Sequence, residues 1–396
     1  MLRKLRIKNF YSIYEPLEIS LMHSAHSCGD YRTIKTLDDK AASKLVALVG
    51  ANGSGKTNIL KSLAFLQWFV GHSFSRLEPE DPIPVASHFL GRNEPSEFHV
   101  EFEYLGHTWR YDLVVTSERI LHEALYRQNI RFVYVFKRDW QEQEQNYAIR
   151  LKDEFDFSIT QAKKTRQNCS LISAAAQHNQ SLAVKLTQIN MASNLTGIGR
   201  YGLGAFDQVL NAAELFFTNR NAQKKMQELL RRWDLGLSDV TIRKEKRTND
   251  HGESRTFFIP WGCHEIDGQK FELIMFNESS GTQSAFALLS KILPILREGG
   301  LAVIDEIESD LHPHMLNELI DLFVSPETNP HQAQLIFSTH SHELINTLLK
   351  EQILLVEKDD MLNTDAYRLS EVDGVRADEN FYAKYMAGAY GAVPEL

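Results

Sequence analysis

Hydrophobic and polar residues alternate with a period of two near the start of the chain, in LRIKNF and PLEISL. The same period returns between residues 97 and 137, in FHVEFEYL, HTWRYDLVV, ERILHEALY and RFVYVF. This alternation predicts an antiparallel meander, and Leu105-Gly106-His107 is typical of a hairpin turn between the first two of these later strands. Between the two groups, the apolar run KLVALVG at residues 44–50 predicts a buried strand that ends in glycine.

The pattern changes to helical spacing between residues 158 and 236, where SLAVKLTQI, FDQVLNAAELFF and AQKKMQELLRRW occur. This predicts a helical insertion at 158–236 between an N-terminal lobe at 1–157 and a C-terminal lobe at 237–396. Strand patterns return in DVTIRKEK, RTFFIPW and KFELIMF. Helices and strands then alternate through SAFALLSKILPILRE, LAVIDE, PHMLNELIDLFV, AQLIFST, HELINTLLK and ILLVEK. Such alternation predicts an α/β fold with a doubly wound, mostly parallel sheet.

Composition narrows the class of protein. The 396 residues include 43 Lys+Arg and 52 Asp+Glu, a net charge of -9, and 43% are hydrophobic, which is ordinary for a globular chain. No apolar run approaches the roughly eighteen residues of a membrane-spanning helix. Cys28, Cys169 and Cys263 lie far apart, which argues against a disulfide framework and favours a cytoplasmic location.

The most specific motif lies at residues 50–57, GANGSGKT, directly after the apolar strand and before a helical pattern. It fits G-x-x-x-x-G-K-[ST], in which glycines let backbone N–H groups surround a phosphate at a helix N-terminus. Lys56 is expected to reach the β- and γ-phosphates of ATP, and the Thr57 hydroxyl to bind Mg²⁺. The predicted nucleotide contacts in this segment are Asn52, Gly53, Ser54, Gly55, Lys56, Thr57 and Asn58.

A second motif, LAVIDE at residues 301–306, places two acids at the end of an apolar strand. Asp305 is expected to hold Mg²⁺ through water, and Glu306 to act as general base for the attacking water. Further along, His340 follows another apolar strand, where a histidine can contact a γ-phosphate and assist Lys56 and Glu306 in catalysis.

Ser280 and Gly281, within NESSGTQ, lie at the start of a predicted helix. A helix N-terminus with a hydroxyl can bind an anion, but a serine there is also an ordinary N-cap, and the sequence leaves both readings open. One nucleotide does not need two phosphate cradles within one chain. Two chains that face each other would use both, and this predicts a homodimer or larger homo-oligomer with shared ATP sites.

These motifs, in this order, resemble those of the ABC-class ATPases, including the heads of SMC-type repair proteins. The narrower resemblance is to bacterial "AAA, ATP-binding" families near the overcoming-lysogenisation-defect (OLD) ATPases. It implies that residues 280–283 are a variant signature motif, that the loop at 309–313 is a D-loop and that His340 is the switch histidine. It also implies ATP and Mg²⁺ as ligands, a role in phage defence and a separate effector, often a nuclease.

Some features expected from this resemblance are not assigned. The Q-loop glutamine could be Gln141, Gln143, Gln145 or Gln177. Long coiled-coil arms have no heptad pattern to support them. The 56 residues after His340 leave no room for a Toprim-like nuclease domain within this sequence, so we expect an ATPase that acts through another protein.

Residues 220–247 contain nine Lys/Arg and four acids, a local charge of +5. Arg231, Arg232, Arg243 and Lys244 are the basic residues expected to contact nucleic acid phosphates, and a solvated helix face is the alternative. The sequence therefore predicts a Mg²⁺-dependent ATPase whose ATP-driven association regulates an effector. An ATPase that acts directly on DNA, and a scaffold that binds ATP with little turnover, remain open alternatives.

Overall fold

The computed structural model describes residues 1–23, 30–196, 199–248, 254–309 and 311–393, without the side chains of Arg247, Thr248 and His342. Cys28 and position 310 of the predicted D-loop thus lie outside the described residues. The strands are β1 (Leu2–Lys8), β2 (Leu17–Ser20), β3 (Thr33–Lys35), β4 (Ala41–Ser43), β5 (Leu45–Val49), β6 (Ser96–Tyr104), β7 (His107–Val115), β8 (Ile120–Gln128), β9 (Phe132–Gln141), β10 (Asn146–Leu151), β11 (Met191–Ser193), β12 (Asp239–Thr248), β13 (Ser254–Ile266), β14 (Gln269–Ile274), β15 (Leu301–Ile304), β16 (Gln334–Ser338), β17 (Ile353–Lys358) and β18 (Thr364–Arg368).

Nine α-helices occur within the described ranges. They are α1 (Lys56–Arg76), α2 (Ile159–Lys164), α3 (Leu171–Gln177), α4 (Ser181–Thr187), α5 (Phe206–Thr218), α6 (Arg220–Arg232), α7 (Ser280–Glu298), α8 (Pro313–Val324) and α9 (Phe381–Met386). None of these helices is long and apolar enough to cross a lipid bilayer.

A six-stranded sheet at the centre of the fold has the order β11-β15-β16-β5-β17-β18. Every neighbouring pair is parallel except β17 with β18, which is antiparallel. The strand that precedes residue 50, β5, lies in the interior of this sheet with all five residues buried. The mostly parallel sheet predicted from the alternation of strands and helices is therefore present.

A seven-stranded antiparallel sheet, in the order β10-β9-β8-β7-β6-β1-β2, contains the predicted meander. The hairpin between β6 and β7 turns at Leu105 and Gly106, whose φ angles are 52° and 74°. Two successive positive φ angles fit the right-handed twist of the flanking strands. The remaining strands form a three-stranded sheet, β12-β13-β14, and a two-stranded one, β3-β4.

The central sheet packs on both faces, because the side chains of β5 alternate between two cores. Val46 and Leu48 pack with α1 and the antiparallel sheet. Leu45, Ala47 and Val49 pack with the helices α5 to α8 on the opposite face. This arrangement holds the loop at the end of β5 between two packed layers.

The predicted helical insertion contains α2 to α6, at the places where the helical spacing occurs. It also contains β11, which joins the edge of the central sheet. The domain boundaries at 157 and 236 stay a prediction. The helix predicted from HELINTLLK is wrong in type, because residues 342–347 form only a short 3₁₀ helix before the chain enters β17. Tight 3₁₀ turns are common in such short connections.

A buried ion pair ties the antiparallel sheet to the start of the insertion. The side chains of Glu123 and Arg138 are both fully buried, 3.8 Å apart. Glu123 accepts hydrogen bonds from the Ser170 hydroxyl and the Leu171 amide, and Arg138 donates to the carbonyl of Cys169. The loop that enters α3 is thus fixed by hydrogen bonds to two buried charged groups.

Candidate nucleotide site

The loop from Gly50 to Gly55 runs between the end of β5 and the start of α1, and neighbouring strands crowd its first and last glycines. Gly55 has φ 111°, and a Cβ atom there would lie 2.0 Å from the Thr364 Oγ1 atom. A Cβ atom on Gly50 would lie 2.0 Å from the Val356 carbonyl oxygen. A side chain at position 50 or 55 would therefore collide with β17 or β18, so both positions require glycine. The N-terminus of α1 points toward the loop.

Lys56 is buried, and its Nζ atom donates to the carbonyl oxygens of Gly50 at 2.8 Å and Ala51 at 2.9 Å. The ammonium group therefore lies across the loop that it follows in the sequence. Burial lowers the pKa of Lys56, while the negative charges of nearby Asp305 and Glu306 oppose that shift. The charge of Lys56 thus interacts with the charges of Asp305 and Glu306, the two acids of the second motif.

The Thr57 and Asp305 side chains meet at the carboxyl ends of β5 and β15, although β16 lies between these strands. The Thr57 hydroxyl donates to Asp305 Oδ2 at 2.9 Å. From β16, the Ser338 hydroxyl donates to Asp305 Oδ1 at 2.6 Å and accepts from the Glu306 amide at 2.7 Å. A hydroxyl and a carboxylate in contact are a suitable ligand pair for Mg²⁺, which prefers oxygen ligands.

Ser338 and Asn194 both contact Asp305, and the sequence motifs singled out neither residue. The Asn194 side-chain amide donates to the Asp305 carbonyl and accepts from the Asp305 amide, both at 2.8 Å. Asn194 directly follows β11, so the three residues of that strand place it beside Asp305. Ser338 lies two residues before His340, to which alone the sequence assigned a role in this segment, and no local signal marks Asn194.

Glu306 adopts φ 46°, an uncommon backbone conformation for a residue other than glycine. Its Oε2 atom lies 2.5 Å from Nη1 of Arg200 and accepts from the Ser309 hydroxyl at 3.2 Å. The same Arg200 Nη1 atom donates to Ser309 Oγ at 2.8 Å. The predicted base is therefore held by an arginine from the predicted insertion.

His340 lies at the end of β16, beside the acidic segment that follows β15. Its backbone amide donates to Glu308 Oε1, and the other carboxylate oxygen of Glu308 is buried without a hydrogen-bond partner within the described chain. The structure thus brings His340 to the same edge of the sheet as Asp305 and Glu306. Its catalytic role stays a prediction.

Ser280 and Gly281 form the first turn of α7, as predicted. The N-cap is Ser279, whose hydroxyl accepts from the Thr282 amide, while the Ser280 side chain is exposed. Among the described residues, no hydrogen bond joins Ser280 or Gly281 to the loop at 50–58. Capping is therefore accounted for by the preceding residue, and the Ser280 side chain is left exposed at the start of α7.

The four glutamines considered for the Q-loop lie in other parts of the molecule. Gln141 ends β9, Gln143 and Gln145 lie in the β9–β10 hairpin, and Gln177 ends α3. Gln141 and Gln145 donate to backbone carbonyls of their own hairpin. Within the described chain, Asn194 is the amide side chain that contacts Asp305.

The basic residues of the predicted nucleic acid surface lie at the end of α6 and along β12. All four, Arg231, Arg232, Arg243 and Lys244, are exposed. Two are paired with acids: Arg232 with Glu318 at 2.7 Å and Arg243 with Glu272 at 2.5 Å. These pairs reduce the positive charge that the surface presents.

Comparison with known proteins identifies relatives of the sequence and of the fold. Residues 45–346 match the family model described as "AAA domain, putative AbiEii toxin, Type IV TA system". A search of curated proteins finds no match. Two Smc head domains are among the solved structures with partial similarity. The Smc head domain of Pyrococcus furiosus, with an extended coiled coil and bound to the C-terminal domain of ScpA, has 13% identity and a TM-score of 0.41, over 93% of this chain and 96% of that one. The Smc head domain of Pyrococcus yayanosii, with a coiled coil and joint, has 11% identity and a TM-score of 0.46, over 98% and 99%.

Proposed function

The chain belongs to the AAA domain family that it matches over residues 45–346, and on that premise we propose that it hydrolyses ATP. The predicted fold class, an α/β head of the ABC-type P-loop ATPases with an antiparallel sheet, is confirmed. The observation that carries the proposal is the contact of Thr57 with Asp305, with Ser338 linking Asp305 to Glu306. It places the Thr57 hydroxyl and the carboxylates of Asp305 and Glu306 near the buried ammonium of Lys56.

In this proposal, Lys56 exchanges its hydrogen bonds with the loop carbonyls for contacts with the β- and γ-phosphates of ATP. The backbone N–H groups of residues 52–58 surround the phosphates at the N-terminus of α1. Thr57 and Asp305 are the residues that would hold Mg²⁺, which when bound neutralises charge on the phosphate oxygens.

Glu306 accepts a proton from a water molecule whose oxygen forms a bond to the γ-phosphorus. The bond between this phosphorus and the β–γ bridging oxygen breaks, and ADP and inorganic phosphate are released. In the same proposal, His340, which follows the neighbouring strand, contacts the γ-phosphate. Ser338 and Asn194 hold the backbone of Asp305 and Glu306 in place, which supports a defined geometry at the reacting atoms.

We further propose that ATP joins two copies of the chain, with Ser280 and Gly281 of one copy contacting the nucleotide bound at Lys56 of the other. The exposed Ser280 side chain at the start of α7, where Ser279 already supplies the cap, supports this arrangement. The biological role that we propose is control of a separate effector protein in bacterial phage defence. It is supported by the resemblance of the sequence motifs, and the family description likewise names a toxin of a TA system.

Replacing Lys56 by Ala tests the proposed hydrolysis. We expect Lys56→Ala to abolish phosphate release and to weaken ATP binding, because the β- and γ-phosphates lose their buried counter-charge. The measurement is phosphate release at saturating Mg-ATP, together with a binding titration. Lys185→Ala, which removes an exposed lysine of α4, is the matched control and should keep wild-type turnover. Hydrolysis by Lys56→Ala at the wild-type rate would contradict the site assignment.

A further inference from the structure

Arg200 belongs to none of the sequence motifs, yet its guanidinium group contacts the proposed base. We infer that Arg200 is a positioning residue that restrains the Glu306 carboxylate in the nucleotide-free chain, and that this contact opens before hydrolysis. The inference rests on the proposed function, because it assigns Glu306 the role of proton acceptor.

The backbone around β11 brings Arg200 to the site. Arg200 forms an isolated antiparallel bridge with Leu195, and the Tyr201 amide donates to the Asn194 carbonyl at 3.1 Å. The Tyr201 hydroxyl donates to the Ser193 carbonyl. The chain therefore folds back on the end of β11, and the same short segment that holds the Asp305 backbone through Asn194 also presents Arg200 to Glu306.

Two side chains, Arg200 and Ser309, contact the Oε2 atom of Glu306, and they also contact each other. Arg200 Nη1 lies 2.5 Å from Glu306 Oε2 and donates to Ser309 Oγ, and Ser309 donates to the same Glu306 oxygen. A carboxylate oxygen that is occupied by two donors is less available to contact the attacking water. Restraint by this cluster therefore opposes general-base catalysis as long as the cluster is closed.

The contact is also of a kind that can open. The side chains of Arg200 and Glu306 are 32% and 37% exposed, and ion pairs with such access to solvent are weak. Lys56 is likewise bound to groups of its own chain, the carbonyls of Gly50 and Ala51. An incoming triphosphate draws Lys56 away from these carbonyls, since phosphate oxygens are strong partners for Lys. The contact of Arg200 with Glu306 opens after this step, in the ATP-bound chain, so its cost falls on kcat and not on KM.

The test compares steady-state hydrolysis of Mg-ATP by wild type, Arg200→Gln and Arg200→Lys. We expect kcat of Arg200→Gln to rise about two- to five-fold with unchanged KM, because the loss of a weak ion pair can change a rate by no more than about that factor. Arg200→Lys keeps the positive charge and should stay near wild type. Arg127→Gln breaks a similarly exposed pair with Glu154 in the antiparallel sheet and should leave kcat unchanged.

Ser309→Ala provides a second, independent variant. It should raise kcat less than Arg200→Gln, and the double variant should not exceed Arg200→Gln, because both residues act through the same Glu306 oxygen. A purely structural role for Arg200 would lower turnover and would not be rescued by lysine.

Each outcome decides the inference. An unchanged kcat in Arg200→Gln would show that the contact restrains nothing. A fall in kcat would show that Arg200 assists the reaction, if lysine restores turnover, or only the fold, if it does not. Each of these results overturns the restraint. If wild type hydrolyses ATP and Lys56→Ala does not, these failures leave the proposed function intact. Absence of hydrolysis in wild type and every Arg200 variant would refute both.

Discussion

At the scale of single residues, the site is built from side chains that are held by residues of other elements. Asp305 receives hydrogen bonds from Thr57 and Ser338, and its backbone is held by Asn194. Glu306 keeps its uncommon φ of 46° with its amide bound to Ser338. Strained backbone of this kind persists where surrounding contacts over-determine it, and it concentrates at functional sites.

Lys291 shows a different consequence of burial. It lies in α7, its Nζ atom is 4.9 Å from the centroid of the Tyr201 ring, and burial lowers its pKa from 10.5 to about 8. In the unfolded chain, the lysine keeps its proton up to the higher value. Between about pH 8 and 10.5, unfolding therefore takes up a proton, and the free energy of unfolding rises with pH.

Replacing Lys291 by Met should remove this pH dependence, since methionine has a similar volume and no charge. We expect Lys291→Met to be more stable than wild type at pH 7, where the buried lysine is charged. The difference should shrink by about 2 kcal/mol at pH 9.5. The measurement is urea unfolding of both proteins at the two pH values. Parallel stability changes in the two proteins would contradict the assigned pKa shift.

At the scale of elements, the three-stranded sheet β12-β13-β14 and helix α6 together carry the basic residues of the predicted nucleic acid surface. The end of α6 carries Arg231 and Arg232, and β12 carries Arg243 and Lys244. Glu318 and Glu272 pair with two of these residues, so the surface presents less charge than the +5 of the segment suggests. We therefore expect any nucleic acid binding through this surface to be weak and sensitive to salt.

Reversing the four charges to Glu should abolish such binding while ATP hydrolysis continues at the wild-type rate. The reason is that phosphate contacts are lost and replaced by repulsion, whereas no residue of the nucleotide site is changed. The measurement is a titration with single- and double-stranded DNA and with RNA at two salt concentrations. The control variant reverses four exposed charges elsewhere: Arg150, Lys152, Lys185 and Arg376. Equal binding by the patch variant and wild type would show that these residues form only a solvated face.

At the scale of the whole molecule, the proposed function requires two copies of the chain. Replacing Glu306 by Gln should remove the proton acceptor and slow hydrolysis by roughly 10²–10⁴. ATP then stays bound and stabilises the associated form by mass action. Light scattering or ultracentrifugation of Glu306→Gln should therefore show a larger species with Mg-ATP than without it.

A crosslink provides a sharper readout, because it reports which surfaces meet. Cysteines replacing the exposed Asn52 and Asn277 place one thiol beside the loop at 50–55 and one beside the start of α7. Cys169 and Cys263 are buried, and Cys28 is replaced by Ser in this background. The intermolecular crosslink should form with ATP in Glu306→Gln and be lost when Ser280→Arg is added. A crosslink that never forms, or that survives Ser280→Arg, would contradict the shared site.

The sequence alone determined the elements that follow from local pattern. The meander from β6 to β9, the helices α5 to α8 and the strands β5, β15, β16 and β17 all lie where the hydrophobic period predicted them. The motif at residues 50–57 and the acids at 305–306 were likewise recognisable, because their residues are close in the chain and their spacing carries the chemistry.

Only the tertiary structure determined which distant residues complete the site. β11 has three residues, too few for a period to be visible, and it becomes a strand only because β15 offers a free edge. Asn194 therefore contacts Asp305 across 111 positions of sequence, and Arg200 reaches Ser309 across 109. No local pattern encodes such contacts, because they depend on where the fold places the two segments. For this reason, the segment predicted as a helical insertion also supplies Arg200, which holds the proposed base Glu306.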